Sequence, residues 1–305
     1  MQSSLLPAGA TSRRDRRLER RHGFTLIELL VVIAVILILA GLILSVYGAV
    51  IGNARVSATK QRIKVVQDAL AQRLDSFTRY FSNPQNLQNQ PEWLQAMADA
   101  SGDTELATIL AKKKLMRRFF PQNFKEYSMS AGTSHSAATE SAEVLYFILT
   151  QGTELGEPAI TAGALDAAAI KDTDGDGLKE IVDAWDKPLR FYRWPTRLVK
   201  TDGVTVNTTY LKLVDSAAPT STTQLASDQD DPLGKTSGIS SFESSYHTPA
   251  TYHLLLVVSA GGDGELGLYE PSDYSNFGYL AAPTGTAATD LADNFTNLNV
   301  VVGGK

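Results

Sequence analysis

A single carboxylate stands inside a long apolar run near the start of the chain. Glu28 is the only charged residue between Phe24 and Ile51. An acid at the centre of a membrane helix costs about 2.5–3.5 kcal/mol on insertion scales, and such residues are functional by default. The position of Glu28 therefore indicates a functional role.

Five acids gathered within twelve residues form a second group that could do chemistry. Segment 172–183 reads DTDGDGLKEIVD and follows the calcium-loop pattern D-x-[DN]-x-[DN]-G-x₅-E, with Gly177 at the sharp turn. It departs from that pattern only at the last position, where an aspartate replaces the usual glutamate. The predicted calcium ligands are Asp172, Asp174, Asp176, Leu178 through its carbonyl, Glu180 and Asp183. The alternative is an acidic turn whose Asp and Gly residues serve only backbone geometry.

The sequence offers no pattern for catalysis. Its four histidines, His22, His135, His247 and His253, have no metal-ligand spacing, and it contains no Gly-x-Ser-x-Gly elbow, phosphate loop or dinucleotide turn. The absence of cysteine excludes disulfides, thiolate chemistry and cysteine-based zinc sites. We therefore do not expect an enzyme, although two of the many acids could converge as in a glycoside hydrolase.

The elements that position Glu28 are a basic leader and the apolar segment 24–51. The leader holds six arginines against two acids, so the positive-inside rule keeps the N-terminus in the cytoplasm. The apolar segment is long enough for a helix to cross the hydrocarbon core, which needs about 20 residues. A secretory signal would have an apolar core of about 7–15 residues, and only Gly52-Asn53-Ala54 is a candidate cleavage site behind it. An uncleaved anchor is the other alternative.

Residues 21–30, RHGFTLIELL, resemble the class III signal of type IV pilins and type II secretion pseudopilins. The resemblance implies cleavage by a prepilin peptidase between Gly23 and Phe24 and N-methylation of Phe24. It also implies that Glu28 pairs with the Phe24 amine of a neighbouring subunit during assembly. Such pairing is favourable, because an isolated ammonium and an isolated carboxylate are both costly in lipid.

One long helix is predicted from residue 24 to about residue 80. Its first part, 24–51, spans the membrane or forms a filament core. Beyond it the apolar residues recur at steps of three, four and seven, which is typical of an amphipathic helix. Asn83-Pro84 is expected to end the helix. Residues 1–23 are thus a cleaved leader, and residues 81–305 form a globular periplasmic or extracellular domain that includes the calcium loop 172–183.

The rest of the chain is predicted to be helical in its first half and strand-like in its second. Helices are expected within 92–119 and over 141–150, and the basic run at 112–118 is interpreted as a solvated face. Strands are expected over 186–192, 204–206 after the Asp202-Gly203 turn, and 251–258. Segment 215–250, rich in Ser, Thr and Asp, is expected to be a long loop.

Two further pieces are similar to the major pseudopilin of type II secretion. Segment 183–191 resembles that family's strand entry, and residues 252–267 resemble its last strand and acidic glycine loop. In the family this loop binds calcium, which implies Asp263 and Asp293 as ligands. A tight turn at Gly261-Gly262-Asp263-Gly264 is the alternative.

These observations predict an α+β, pilin-like fold: a long N-terminal helix packed on a small antiparallel sheet, with helical and loop insertions. Without the leader the chain keeps 22 basic and 31 acidic residues, a net charge of −9, so no nucleic-acid partner is implied. The resemblance implies an inner-membrane protein that assembles into a type II secretion pseudopilus. Its partners would be copies of itself, the prepilin peptidase, the inner-membrane assembly platform and membrane lipid. A surface pilus subunit for adhesion, motility or DNA uptake is one alternative, and a membrane-anchored, calcium-dependent binding protein or hydrolase is another.

Overall fold

The fold is α+β, with a long N-terminal helix and two small antiparallel sheets. A computed structural model describes residues 24–127, 135–153, 155, 160, 163–193, 231, 233–239, 255–273 and 293–297. The helices are α1 (Leu26–Phe81), α2 (Pro84–Gln88), α3 (Pro91–Asp99), α4 (Thr104–Phe119), α5 (Phe124–Tyr127) and α6 (Glu140–Thr150). The strands are β1 (Ile170–Lys171), β2 (Glu180–Ile181), β3 (Arg190–Tyr192), β4 (Leu256–Ser259) and β5 (Phe295–Thr296). The chain divides into two units, Met1–Gly52 and Asn53–Lys305.

In the first unit, helix α1 begins with a reciprocal cap. The Glu28 amide donates to Thr25 Oγ1 at 3.2 Å, and the Thr25 amide donates to Glu28 Oε2 at 2.8 Å. Such a capping box satisfies two backbone donors that a helix start leaves without a partner. The apolar side chains that follow are largely exposed in the isolated chain, from Phe24 at 84% to Val50 at 59%.

Within the part of the chain that the structure describes, no helix is both long enough and apolar enough to cross a membrane. The membrane span over residues 24–51 stays a prediction.

In the second unit, α1 is amphipathic, as its spacing predicts. Its buried face carries Ile63, Val66, Leu70, Phe77 and Phe81, which repeat at helical steps. The helix ends at residue 81, within one residue of the predicted end. Next comes the short helix α2, which Asn83 caps by accepting a hydrogen bond from the Gln85 amide at 3.0 Å.

Helices α3 and α4 confirm the two helices predicted within 92–119. Between them Ser101 and Gly102 adopt positive φ values of 50° and 88°, and Asp103 caps α4 by accepting from the Glu105 and Leu106 amides. The prediction that the basic run of α4 is a solvated face is wrong for Lys113, which is fully buried. Arg117 and Arg118 of the same run form ion pairs with Glu126 and Glu92.

Helix α6, predicted over 141–150, packs on strands β2 and β3. Strands β1 and β2 pair antiparallel, with Ile170 opposite Ile181, and they enclose the acidic segment. Strands β3, β4 and β5 form the second antiparallel sheet, with Phe191 opposite Val257 and Ser259 opposite Phe295. The core lies between these strands, α6, the second part of α1 and the short helices.

The predicted strands are only partly borne out. Strand β3 occupies the end of the predicted segment 186–192, because residues 184–186 form a turn in which Asp186 has a φ of 65°. Strand β4 (Leu256–Ser259) confirms the end of the predicted segment 251–258, and residues 251–254 lie outside the described residues. The strand predicted over 204–206 lies outside the described residues, as does most of the loop predicted over 215–250.

Candidate metal centre

The acidic segment forms the loop between strands β1 and β2. Asp172 organises this loop, because its two carboxylate oxygens accept hydrogen bonds from the Gly175 amide at 2.7 Å and the Gly177 amide at 3.1 Å. Both glycines have positive φ values, 80° and 93°, which side-chain-bearing residues rarely adopt. The sequence pattern Asp-x-x-Gly-x-Gly therefore produces a tight loop that turns its carboxylates toward one another.

Three of the predicted calcium ligands come together on this loop. Ligand oxygens of Asp172, Asp174 and Glu180 all lie within 4.8 Å of one another; we call them the outer carboxylates. Glu180 is buried, which raises its pKa, and it accepts hydrogen bonds from the amide and hydroxyl of Thr173. This all-oxygen set matches what calcium prefers.

Asp176, the fourth predicted ligand, points to another set of partners. One ligand atom each of His135, Glu143, Asp174 and Asp176 lies within 4.8 Å of the others; we call these four residues the Glu143 cluster. Glu143 comes from the first turn of α6, and His135 lies just before that helix. Asp174 belongs to both sets. The Leu178 amide donates to Asp176 Oδ1 at 2.8 Å, which leaves Oδ2 turned toward His135.

The Glu143 cluster contains buried polar atoms without partners. Among the described atoms, Glu143 Oε1 and Oε2, Asp176 Oδ2 and His135 Nδ1 make no hydrogen bond. The Glu143 side chain is only 1% exposed. Burial, with the negative charges of Asp176 and Asp174 nearby, raises the pKa of Glu143 to about 8. Uncompensated carboxylates of this kind are rare in folded proteins, because each loses its hydration without a replacement.

Asp174 is held more firmly than its neighbours. Its Oδ2 accepts from the Ser136 amide and lies 2.8 Å from the Thr139 hydroxyl, and its Oδ1 accepts from the Asp176 amide. Burial opposes ionisation, but these hydrogen bonds hold the pKa of Asp174 below its usual range. The loop is thereby joined to the segment that leads into α6.

Asp183, predicted to close the calcium loop, lies elsewhere. One of its oxygens accepts from the Trp185 and Lys187 amides, and the other accepts from the Ser259 hydroxyl at 2.6 Å. Neither of the possible ligand groups within the described residues includes it. The physical reason is that Glu180 already enters strand β2, so Asp183 emerges beyond the strand and caps the following turn.

Arg62 of α1 fixes the same turn by donating to the carbonyls of Val182 and Asp183.

Asp263 and Asp293 are neighbours at the glycine loop. Asp293 Oδ2 accepts from the Gly262 amide at 2.6 Å and the Asp263 amide at 3.1 Å. A side chain at Gly261 would collide with Asp293, which explains the glycine there. Asp263 Oδ1 instead accepts from the Glu265 amide. The glycine loop thus closes around the carboxylate of Asp293, and within the described part of the chain neither acid joins a group of three possible ligands.

At the N-terminus, Phe24 and Glu28 are described, whereas Gly23 lies outside the described residues. Glu28 receives hydrogen bonds from the amide and hydroxyl of Thr25 and so caps its own helix. Its pairing with a neighbouring Phe24 amine stays a prediction.

The sequence analysis missed His135 and Glu143 as candidate ligands. The available signal was an acid followed by an otherwise apolar stretch, VLYFILT, which is the same kind of signal that singled out Glu28. No spacing rule could have found either residue, because they lie 29 residues or more from the loop carboxylates they approach.

Comparison with known proteins agrees with the N-terminal signal. Residues 19–44 match the model of the prokaryotic N-terminal methylation motif. The N-terminal signal is therefore that of type IV pilins and pseudopilins, and it indicates a structural subunit that a prepilin peptidase processes. The chain matches no curated protein and no solved structure.

Proposed function

We propose that this protein is a structural subunit of a type II secretion pseudopilus-like filament. The observation that carries the proposal is the methylation motif at residues 19–44, with Glu28 as the only acid in the apolar segment behind it. The prepilin peptidase would cut after Gly23, and Phe24 would become the methylated N-terminus. The inner-membrane assembly platform would then add the subunit to copies of itself.

The exposed apolar surface of the first unit supports this assembly. Side chains from Phe24 to Leu42 are more than two-fifths exposed at nearly every large apolar position in the isolated chain. Helices that are apolar on all sides are stable only when they are covered, either by lipid or by other protein. We propose that residues 24–51 lie in the inner membrane before assembly and in the core of the filament afterwards.

The processing step is tested by mass spectrometry of the native N-terminus. We expect a chain that begins at Phe24 and carries a methyl group. A chain that begins at Met1, or at Arg55 behind Gly52-Asn53-Ala54, would contradict the filament proposal.

The assembly step is tested with variants that separate the charge of Glu28 from its capping role. Glu28→Gln keeps a capping side chain, since Gln serves as well as Glu in a capping box, but it removes the charge. Thr25→Ala keeps the charge and removes the capping hydroxyl. We expect Glu28→Gln and Glu28→Ala to abolish or slow filament growth and Thr25→Ala to support it. Normal filaments from Glu28→Gln would show that Glu28 acts only as a cap.

We also propose that calcium binds at the outer carboxylates Asp172, Asp174 and Glu180. Calcium would relieve their mutual repulsion and rigidify the loop between β1 and β2. At free calcium about a hundredfold above the dissociation constant, the stabilisation is roughly 2.7 kcal/mol. The test is thermal unfolding of the full chain in calcium and in chelator, with Asp172→Asn as the variant. Equal midpoints for the wild type in both conditions would reject the site.

A further inference from the structure

We propose that the Glu143 cluster is a second metal site, built for a divalent transition-metal ion such as zinc. The ligands are His135 Nδ1 and one oxygen each from Glu143, Asp174 and Asp176. The site lies on the α6 side of the acidic loop, whereas the outer carboxylates Asp172 and Glu180 are not part of it.

The first argument is the state of the buried atoms. Glu143 is 1% exposed, both of its oxygens lack a hydrogen-bond partner, and its Oε2 faces His135 Nδ1. No lysine or arginine within the described residues forms an ion pair with the three carboxylates of the cluster. A buried carboxylate is stable only when hydrogen bonds, a counter-charge or a metal compensates it. An ion bound by one atom from each of these four side chains would satisfy His135 Nδ1, Asp176 Oδ2 and one of the two Glu143 oxygens at once.

The second argument is the spacing of the ligand atoms. His135 Nδ1 lies 3.7 Å from Glu143 Oε2 and 3.6 Å from Asp176 Oδ2. Ligands at about 2.0–2.2 Å from a tetrahedral zinc ion are roughly 3.4 Å apart. The observed separations therefore need to contract by only a few tenths of an ångström. They are also too long for direct hydrogen bonds between the imidazole and the carboxylates.

The ligand types decide the class of ion. Calcium and magnesium take oxygen ligands, whereas an imidazole nitrogen suits zinc and other late first-row ions. One imidazole with three carboxylates is a nitrogen–oxygen set that zinc accepts. The loop residues predicted as calcium ligands are therefore divided between two environments. The outer carboxylates offer oxygen alone, and the Glu143 cluster adds His135.

The ligands are also oriented by their surroundings. The His135 ring packs against the Phe124 ring at 4.6 Å between centroids. Its Nε2 faces Glu140 Oε2 at 3.8 Å, and Glu140 is itself held by a hydrogen bond from the Phe124 amide at 2.7 Å. A carboxylate behind a ligating histidine is the usual outer partner in zinc sites, because it orients the ring and raises its basicity.

A zinc ion at the Glu143 cluster would link parts of the second unit that are distant in sequence. The ion would join the first turn of α6 to the loop between β1 and β2, which are more than 30 residues apart in sequence. The proposal does not rest on filament assembly, and the two sites can be told apart although they share Asp174, because Asp172 belongs only to the calcium site and Glu143 only to the cluster.

A protonated His135 is the competing explanation, since an imidazolium could supply one positive charge without a metal. A protonated Glu143, whose pKa burial raises to about 8, is a further explanation without a metal. A metal and a proton differ in one measurable way: the stability of the protein rises with the logarithm of metal concentration above the dissociation constant, whereas protonation does not respond to chelator.

The test uses the full-length chain in detergent, freed of metal with chelator and titrated with zinc chloride or calcium chloride. Thermal unfolding gives the midpoint shift, and elemental mass spectrometry after dialysis gives the ions bound per chain. The variants are Glu143→Gln and His135→Gln, and Asp172→Asn is the control that changes a loop acid outside the cluster. Circular dichroism in chelator checks that each variant folds.

We expect one zinc ion per cluster and a zinc-dependent rise in the midpoint for the wild type and for Asp172→Asn. Glu143→Gln and His135→Gln should each weaken zinc affinity about 100-fold or more, because losing a direct ligand exceeds the 10–100-fold cost of losing an outer partner. A wild type without a zinc shift would overturn the proposal. A zinc shift that survives His135→Gln, or a calcium shift of equal size that is lost only with Glu143→Gln, would overturn the assignment of a transition metal. If Glu143→Gln does not fold, the result from His135→Gln decides.

Discussion

Two buried charged clusters in the second unit differ in how their charge is balanced. Arg193, 1% exposed, makes a two-pronged ion pair with Glu126, with both nitrogen–oxygen distances at 2.8 Å. Arg117 donates to the same carboxylate, and the Gln122 amide donates to it at 2.8 Å. In the Glu143 cluster Glu143 is also 1% exposed, but there three carboxylates gather around one imidazole. The protein can therefore compensate a buried acid with its own side chains, and at Glu143 it does not.

The difference between the Arg193–Glu126 pair and the Glu143 cluster indicates where a cation would bind. Acidic clusters on protein surfaces are common and are solvated by water. A buried acid that has neither a counter-charge nor a hydrogen bond, in a chain that gives Glu126, Glu180 and Asp183 such partners, points to a positive charge from outside the chain.

The largest effect is expected at the balanced cluster. Arg193→Met removes the main counter-charge of Glu126 and leaves a buried carboxylate behind, which should lower the free energy of unfolding by about 3–5 kcal/mol. Urea unfolding of the full chain measures it. The double variant Arg193→Met with Glu126→Gln should recover part of the loss, because it removes the stranded charge as well. If the double variant is less stable than the sum of the single losses, the pair is not what stabilises this region.

At the Glu143 cluster we expect removal of an acid to raise the stability of the metal-free protein. In chelator, Glu143→Gln should stabilise the protein by about 1–2 kcal/mol, because it removes an acid that must take up a proton on folding at neutral pH. In zinc the same variant should be less stable than the wild type. Urea unfolding under the two conditions gives both values. A loss of stability in chelator would mean that the Glu143 carboxylate already has a partner.

The pH dependence of stability should also separate the clusters. The Glu143 pKa is raised from 4.5 to about 8, so between these values the folded, metal-free protein holds a proton that the unfolded chain has lost. Its stability should therefore fall as pH rises from about 4.5 to 8, and Glu143→Gln should flatten that slope. Burial alone would raise the pKa of Glu126, but Arg193 and Arg117 hold it below its usual range. The stabilisation that ionised Glu126 contributes is present above pH 4.5. It is lost as pH falls through the lowered pKa of Glu126.

The smallest effect is expected for an exposed pair on α1. Lys64 and Asp68 form an ion pair four residues apart, and both side chains are more than 60% exposed. Lys64→Ala should change the free energy of unfolding by no more than about 0.5 kcal/mol. A larger loss would show that exposed charges matter more here than the comparison of buried clusters assumes.

The helices could be predicted from sequence because their signals are local. Helix α1 has a continuous apolar and then amphipathic period, α4 has Asp103 as its cap, and α6 is an apolar stretch of the right length. The strands were harder, since β1, β2 and β5 are two residues long and exist only through pairing with distant segments. The turn at Asp186 shortened β3, and nothing in the alternating pattern shows that residue's positive φ.

The candidate site was predictable only to the extent that its residues are close in sequence. The spacing of Asp172, Asp174 and Asp176 identified the loop, and the glycines fixed its shape. The contributions of Glu143 and His135 depend on how α6 packs on strand β2, which is a tertiary contact that no local pattern encodes. Asp183 was wrongly predicted to close the loop for the same reason. It fits the loop pattern by residue count, but strand β2 places it beyond the loop.

The claim that a metal ion compensates the acids of the Glu143 cluster is tested most directly by a crystal structure of the zinc-loaded protein. Anomalous diffraction is measured at the zinc absorption edge. The account predicts an anomalous peak about 2.0–2.2 Å from His135 Nδ1 and from oxygens of Glu143 and Asp176. A peak only at Asp172 and Glu180, or no peak at all with His135 hydrogen-bonded directly to the carboxylates, would contradict it.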